Sequence, residues 1–261
     1  MEFVKFVDKK TYIIKAIVAL AMLWSGLGVS AQERVQMISV GYSSLLDTYL
    51  SPEHYSGIEL RYIGERTNQK PDSNMSHTWT AQGFVSSTSP RSENANDLSA
   101  MVEVGFGMHY HFRPSKSLDI AVGGQADVFL GGIYNTRNGN NPAQMHAGLD
   151  IAPSVRAKYG FRLWKKVFQL NYVASAPLLG LQFSPAYGQS YYEIFSEGNY
   201  DHNICFASLH NAASLSNRLT LDIPIKRGAI RIGYLGDFRQ SKFNDIKFHN
   251  FTHGFIIGYA Y

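Results

Sequence analysis

Cysteine is almost absent: Cys205 is the only one in 261 residues. That excludes an internal disulfide and a thiolate metal site. Charge blocks are missing as well. The 24 basic and 20 acidic residues give a formal net charge of +4, and no Lys/Arg-rich run supplies the footprint of a nucleic-acid partner. After Leu27 no segment approaches the ~18 consecutive apolar residues of a membrane-spanning helix, and mean hydropathy is slightly negative. What the chain does have is aromatics, 13% of its residues, together with 23 glycines. A closed transmembrane sheet has this profile, with aromatic girdles outside, small residues within, and hydropathy averaged away by alternation.

The first thirty residues read as a leader and not as part of the fold. Lys5, Lys9, Lys10 and Lys15 make a positive start, Ala16 to Leu27 an apolar stretch too short to anchor a helix, and Val29-Ser30-Ala31 a small-residue exit before Gln32. The expected division is a signal peptide over 1–31 and one barrel over 32–261. No cysteine follows the cut, so a lipid anchor is excluded. Loss of the leader removes four lysines and two acids, which leaves 20 basic against 18 acidic residues.

A period of two then recurs along the chain. From Ala100 to Phe112 the even positions are Ala, Val, Val, Phe, Met, Tyr and Phe, while Glu103, Gly105, Gly107, His109 and His111 lie between them. Ten strands are expected, at 35–48, 55–66, 77–88, 98–113, 117–135, 144–163, 167–184, 206–225, 228–240 and 246–261. Tight turns such as Pro114-Ser115-Lys116 and Lys226-Arg227-Gly228 alternate with long polar loops such as Ser89 to Asp97 and Pro185 to Asn203. Bacterial barrels of the Gram-negative outer membrane have short periplasmic turns and longer outer loops, so an even strand number places both termini in the periplasm. In the last strand Phe255, Ile257, Tyr259 and Tyr261 share one face. Such an alternation ending in an aromatic looks like the signal recognised by the barrel-assembly machinery. A secreted β-sandwich or lipocalin-like barrel also alternates, but it would turn its polar face outward. Here the Tyr- and Phe-rich face is the outer one and the other carries glycine and paired charge. The fold class is all-β: a single antiparallel up-and-down barrel, in contact with outer-membrane lipids.

Two stretches carry a family likeness. One is Leu46-Asp47-Thr48-Tyr49-Leu50-Ser51-Pro52 with Tyr55-Ser56-Gly57; the other runs from Ala186 through Tyr187, Tyr191, Tyr192 and Gly198 to Tyr200, then Ser208-Leu209-His210-Asn211. The chain resembles an uncharacterised family, a domain of unknown function, of small outer-membrane barrel proteins from Bacteroides-type bacteria. The resemblance implies the barrel and its location. It brings no activity and no catalytic residues.

The interior is where chemistry would lie. The alternation turns Glu59, Arg61, Glu103, His109, His111, Asp119, Asp127, Arg156, Arg218, Asp222, Arg231 and Asp237 inward. A ten-strand barrel is only slightly wider than the eight-strand kind that side chains fill, and buried charge must be paired or hydrated. The leading expectation is a charge-paired plug that closes the barrel, with a structural or surface-interaction role and no cofactor. The alternatives are a narrow small-solute channel and a hydrolase with a rim site. His109 and His111, with Glu103 or Asp119, have the spacing to share a metal, although H-x-H alone is a weak signature. His210 with Ser214 or Ser216 and Asp222 are the candidates for hydrolysis. The loop 185–203, rich in tyrosine, is expected either to fold down as a lid or to recognise a surface ligand.

Overall fold

The computed structural model describes residues 32–261 other than Asp72, Glu93 and Asn140, so the expected leader at 1–31 lies outside the described residues. The strands are β1 (Gln32–Asp47), β2 (Ser51–Gln69), β3 (Met75–Pro90), β4 (Asp97–Ser115), β5 (Leu118–Asn135), β6 (Ala143–Leu163), β7 (Lys166–Ser175) and β8 (Leu179–Phe183). After one helical turn, α1 (Tyr191–Phe195), come β9 (Ile204–Ser208), β10 (Leu215–Pro224), β11 (Ala229–Phe243) and β12 (Ile246–Ala260). All pairings are antiparallel, and β1 bonds to both β2 and β12, which closes the ring. No helix among the described residues is long and apolar enough to cross a membrane.

The closed ring has ten staves. Eight are single strands, and two are broken. β7 and β8 both pair with β6, and β9 and β10 continue one another alongside them. The stretches expected as single strands at 167–184 and 206–225 are therefore interrupted at 176–178 and 209–214. Pro177 cannot donate to the ladder, and the neighbouring Ala176 and Leu178 amides still reach the Pro153 and Ile151 carbonyls at 3.3 and 2.9 Å. The second break is a wide bulge. Lys242 donates to the Asn211 carbonyl at 2.7 Å and Gln240 to the Ser214 hydroxyl at 3.2 Å, bridging it to β11. Ala207, Ala212 and Phe243 seal it with a small apolar cluster.

The surface is inside-out relative to a water-soluble protein. Ile38, Val40, Leu60, Val102, Val104, Val128, Leu130 and Leu219 all point away from the barrel and are exposed. In β12, Phe255 and Ile257 are 61% and 55% exposed, and Tyr259 and Tyr261 share that outward face. Exposed aliphatic rows on every side of a closed sheet are stable only against lipid, because a barrel satisfies its backbone internally while its outer side chains meet hydrocarbon. Aromatic pairs mark the end nearer the termini: Tyr110–Phe112 at 4.9 Å, Phe161–Phe168 at 5.7 Å and Tyr259–Tyr261 at 5.4 Å between centroids. Towards the other end Phe238 meets Phe251 at 6.0 Å. The turns at the terminal end are short. The long connections, including α1, all lie at the opposite end.

Candidate functional site

The lumen is the site, and its contents follow from alternation carried around a closed ring. Inward positions alternate bulky polar groups with glycine, and the glycines make room. A Cβ on Gly105 would collide with the Asp127 carboxylate that lies across it. One on Gly123 would meet the backbone of Met108 and His109, and over this bare position the His109 ring reaches Ser154 Oγ, 3.1 Å away on β6.

Three polar layers stack along the axis. At the terminal end Arg231 clamps Asp222 through Nε at 2.6 Å and Nη2 at 2.7 Å, and reaches Glu33 at 3.3 Å; Lys158 also bonds Glu33. Arg156 and Arg218 both donate to Glu65, at 2.9 and 2.6 Å. In the middle, Arg61 donates to Glu59 at 2.8 Å and to Asp237 at 2.6 Å, and Arg239 bonds Glu103 at 2.8 Å and Asp237 at 3.1 Å. Among the described residues Asp127 and Asp150 have amide donors alone, Gln125 at 2.7 Å and Gln182 at 3.0 Å. At the loop end Asp47 bonds His146 at 3.0 Å, and Asn135 donates to Asp97 at 2.7 Å. Apolar groups separate the layers: Met37, Ile63, Leu235 and Ile256 below, Phe84, Met101 and Phe129 above.

Many of these bonds cross the lumen. Arg61 on β2 meets Asp237 on β11, Arg156 on β6 meets Glu65 on β2, and Arg239 on β11 meets Glu103 on β4. Free volume is largest at the terminal end and smallest at the loop end, with a cavity of only about 10 Å³ around Thr78 and His109 between the two larger ones. A cavity of about 480 Å³ occupies the terminal end and one of about 100 Å³ the middle, while those around Gln144 and around Leu45 are about 10 Å³ each. The last is room for about one water molecule.

A folded loop covers the narrow end. Ser190 caps α1, its hydroxyl accepting from the Glu193 amide at 3.2 Å while the Glu193 carboxylate accepts from the Ser190 amide at 2.6 Å. Those bonds hold the Glu193 carboxyl below its usual range. The carboxylate therefore keeps its capping role until the pH falls through that lowered value. Ile194 is fully buried, Met145 donates to the Tyr191 hydroxyl at 2.6 Å, and Tyr49 donates to the Gln189 carbonyl at 2.8 Å. Burial pushes the Tyr191 phenol up. Asn203 donates to Ser184 and Gln189 at 3.1 and 2.7 Å, pinning the loop's stem. Tyr187, Tyr192, Phe195 and Tyr200 face outward.

Two sets of sequence candidates are not brought together. His111 donates through Nδ1 to the Asp119 carboxylate at 2.7 Å and is hydrogen-bonded at Nε2 to the Ser76 hydroxyl at 2.8 Å, whereas His109 turns to Ser154. Among the described residues no three His, Cys, Asp or Glu side chains are grouped to hold a metal. His210 lies in the bulge at 209–214, outside any strand, and Asp222 is committed to Arg231 and Asn171 near the far end of β10. The Ser–His–acid set therefore has no common location. Conversely, Glu33 and Asp47 join the interior although no strand pattern singled them out; odd-numbered spacing from Glu33 to Asp47 in β1 is the signal that marks them.

No curated protein matches the sequence. Among solved structures the chain is similar to the outer membrane protease OmpT from Escherichia coli, with 8% identity, a TM-score of 0.48, and 91% of this chain and 99% of that chain covered. It is also similar to the transport unit of the autotransporter AIDA-I from Escherichia coli, at 10% identity and a TM-score of 0.45, covering 95% of each. A third is Ail, the attachment invasion locus protein of Yersinia pestis, at 10% identity and a TM-score of 0.29, with 89% and 100% covered. The lipid-facing outer surface and polar interior make this a transmembrane β-barrel of the outer-membrane type. Residues 29–260 match the family described as Protein of unknown function (DUF3316), and the chain belongs to that family.

Proposed function

We propose that this protein is a closed outer-membrane barrel with a structural or surface-interaction role, held shut by its own lumen charges. The observation that carries this reading is the set of ion pairs that reach across the lumen between staves three to five apart in the ring, Arg61–Asp237, Arg156–Glu65 and Arg239–Glu103. Side chains that bridge a barrel occupy the path a solute would take. The small free volume at the loop end and the folded loop over it support the same closure. Purified protein reconstituted into planar bilayers is expected to give no resolvable single-channel steps. Steady unitary conductance from the unmodified chain would overturn the plug.

The termini lie in the periplasm in this reading, and the loops face outward, in the outer membrane of a Bacteroides-type bacterium. Short turns at one end and long loops at the other support the orientation. The row Phe255, Ile257, Tyr259 and Tyr261 serves as the signal for the barrel-assembly machinery. The loop 185–203 is first a lid, and its outward rings offer a surface to an external ligand. A Cys205→Ser background tests the orientation. In intact cells a membrane-impermeant maleimide is expected to label Ser92→Cys in a long loop and to spare Lys116→Cys in a terminal-end turn. The reverse pattern would refute it.

A further inference from the structure

The terminal-end chamber is too roomy and too basic to be only the base of a plug. Its volume of about 480 Å³ falls within the roughly 300–1,000 Å³ of small-molecule sites. It opens beside Lys70 and Pro71 in the turn after β2 and Arg113 near the end of β4. Among the described residues that line it or bond to its lining, Lys70, Arg113, Arg156, Lys158, Arg218 and Arg231 face only Glu33, Glu65, Asp119 and Asp222.

The carboxylates are oversubscribed. Glu33 serves Lys158 and Arg231, Glu65 serves Arg156 and Arg218, and Asp119 serves Arg113 and His111. Donors are left over as a result: Arg156 Nε is buried in the wall with no hydrogen-bond partner among the described residues. Six cations against four carboxylates leave the chamber with an excess of positive charge, which favours an oxyanion. Further in, the charge reverses. Among the described residues, Glu59, Glu103, Asp127, Asp150 and Asp237 form ion pairs only with Arg61 and Arg239. An anion drawn in from the terminal end therefore finds donors first and a negative barrier behind them.

We propose that this chamber is a binding site for a small soluble oxyanion, a carboxylate- or phosphate-bearing solute admitted from the terminal end. Arg156, Lys158 and Arg231 hold it, with Arg113 at the rim. Binding requires no passage through the barrel, so this proposal and the closed lumen fail or stand by separate measurements.

Titration calorimetry on the full barrel in detergent micelles tests it, with citrate and inorganic pyrophosphate as the anions and spermidine as a cationic control. Saturable binding of at least one anion is expected, weakening between 50 and 200 mM NaCl, with none for spermidine. The double variant Arg156→Gln/Lys158→Met should bind at least tenfold more weakly. It leaves Glu65 with Arg218 and Glu33 with Arg231, and heat-modifiable migration on gels checks that it folds. Should it not fold, Lys158→Met alone carries the comparison, with a loss of several-fold expected. Absence of saturable binding for both anions, spermidine binding in their place, or unchanged affinity in the folded variant would each overturn the site.

Discussion

Arg61→Ala should destabilise the barrel by about 3–5 kcal/mol, the usual cost of removing one partner from a buried ion pair. Arg61 is 1% exposed, with its guanidinium over the Phe84 ring at 4.7 Å. Among the described residues it is the only basic group bonded to Glu59, which also accepts from the Thr252 hydroxyl at 2.8 Å. Asp237 keeps Arg239 at 3.1 Å, so most of the loss falls on Glu59. Urea unfolding of the refolded barrel, read as the shift in midpoint, measures it. The double variant Arg61→Met/Glu59→Gln should regain much of the loss, because it removes the stranded charge together with its partner. A cost below about 1 kcal/mol for Arg61→Ala would mean that water replaces the guanidinium, and the middle of the lumen would then be wet and the plug loose.

Val104→Arg is the second large effect, at about 2–4 kcal/mol for a cation near the middle of the lipid-facing band. Val104 lies midway along β4, opposite Ala81 on one side and Val128 on the other, and its side chain is exposed. The informative control points inward. Gln125→Lys replaces an amide bonded to Asp127 at 2.7 Å and gives that carboxylate its first cation. It is expected to be neutral or slightly stabilising. Equal losses for the two variants would contradict the assignment of faces.

Much of this is legible in the amino-acid sequence, for a definite reason. A strand between lipid and a packed polar lumen must alternate, so Val102, Val104 and Met108 declare the outer face and Glu103 and His109 the inner one. Nine turns or loops between ten staves then follow from where alternation stops. The breaks were less legible. Pro177 is a visible stop, but Leu209, Ala213 and Leu215 share one parity, and Asn211 and Ala212 interrupt it so briefly that the bulge leaves only a faint mark in the pattern. The polar partners were not legible at all. Arg61 and Asp237 are 176 residues apart, and they meet because the β1–β12 pairing brings β2 and β11 within side-chain reach across the lumen. His109 and His111 share a strand face but not a partner, for the same cause. Ser154, two strands away on β6, claims the His109 ring, and Asp119, on the adjacent β5, claims that of His111.

The reversal of fixed charge along the axis has a consequence for any widened form of this barrel. A positive zone in series with a negative one fills with opposite mobile counter-ions on its two sides. With the loop side positive, both kinds of ion are driven towards the junction and the path grows more conductive. With the loop side negative, both are swept away and it depletes. Opened by engineering, the lumen would act as a diode oriented by its own sequence, passing current in one direction and resisting it in the other.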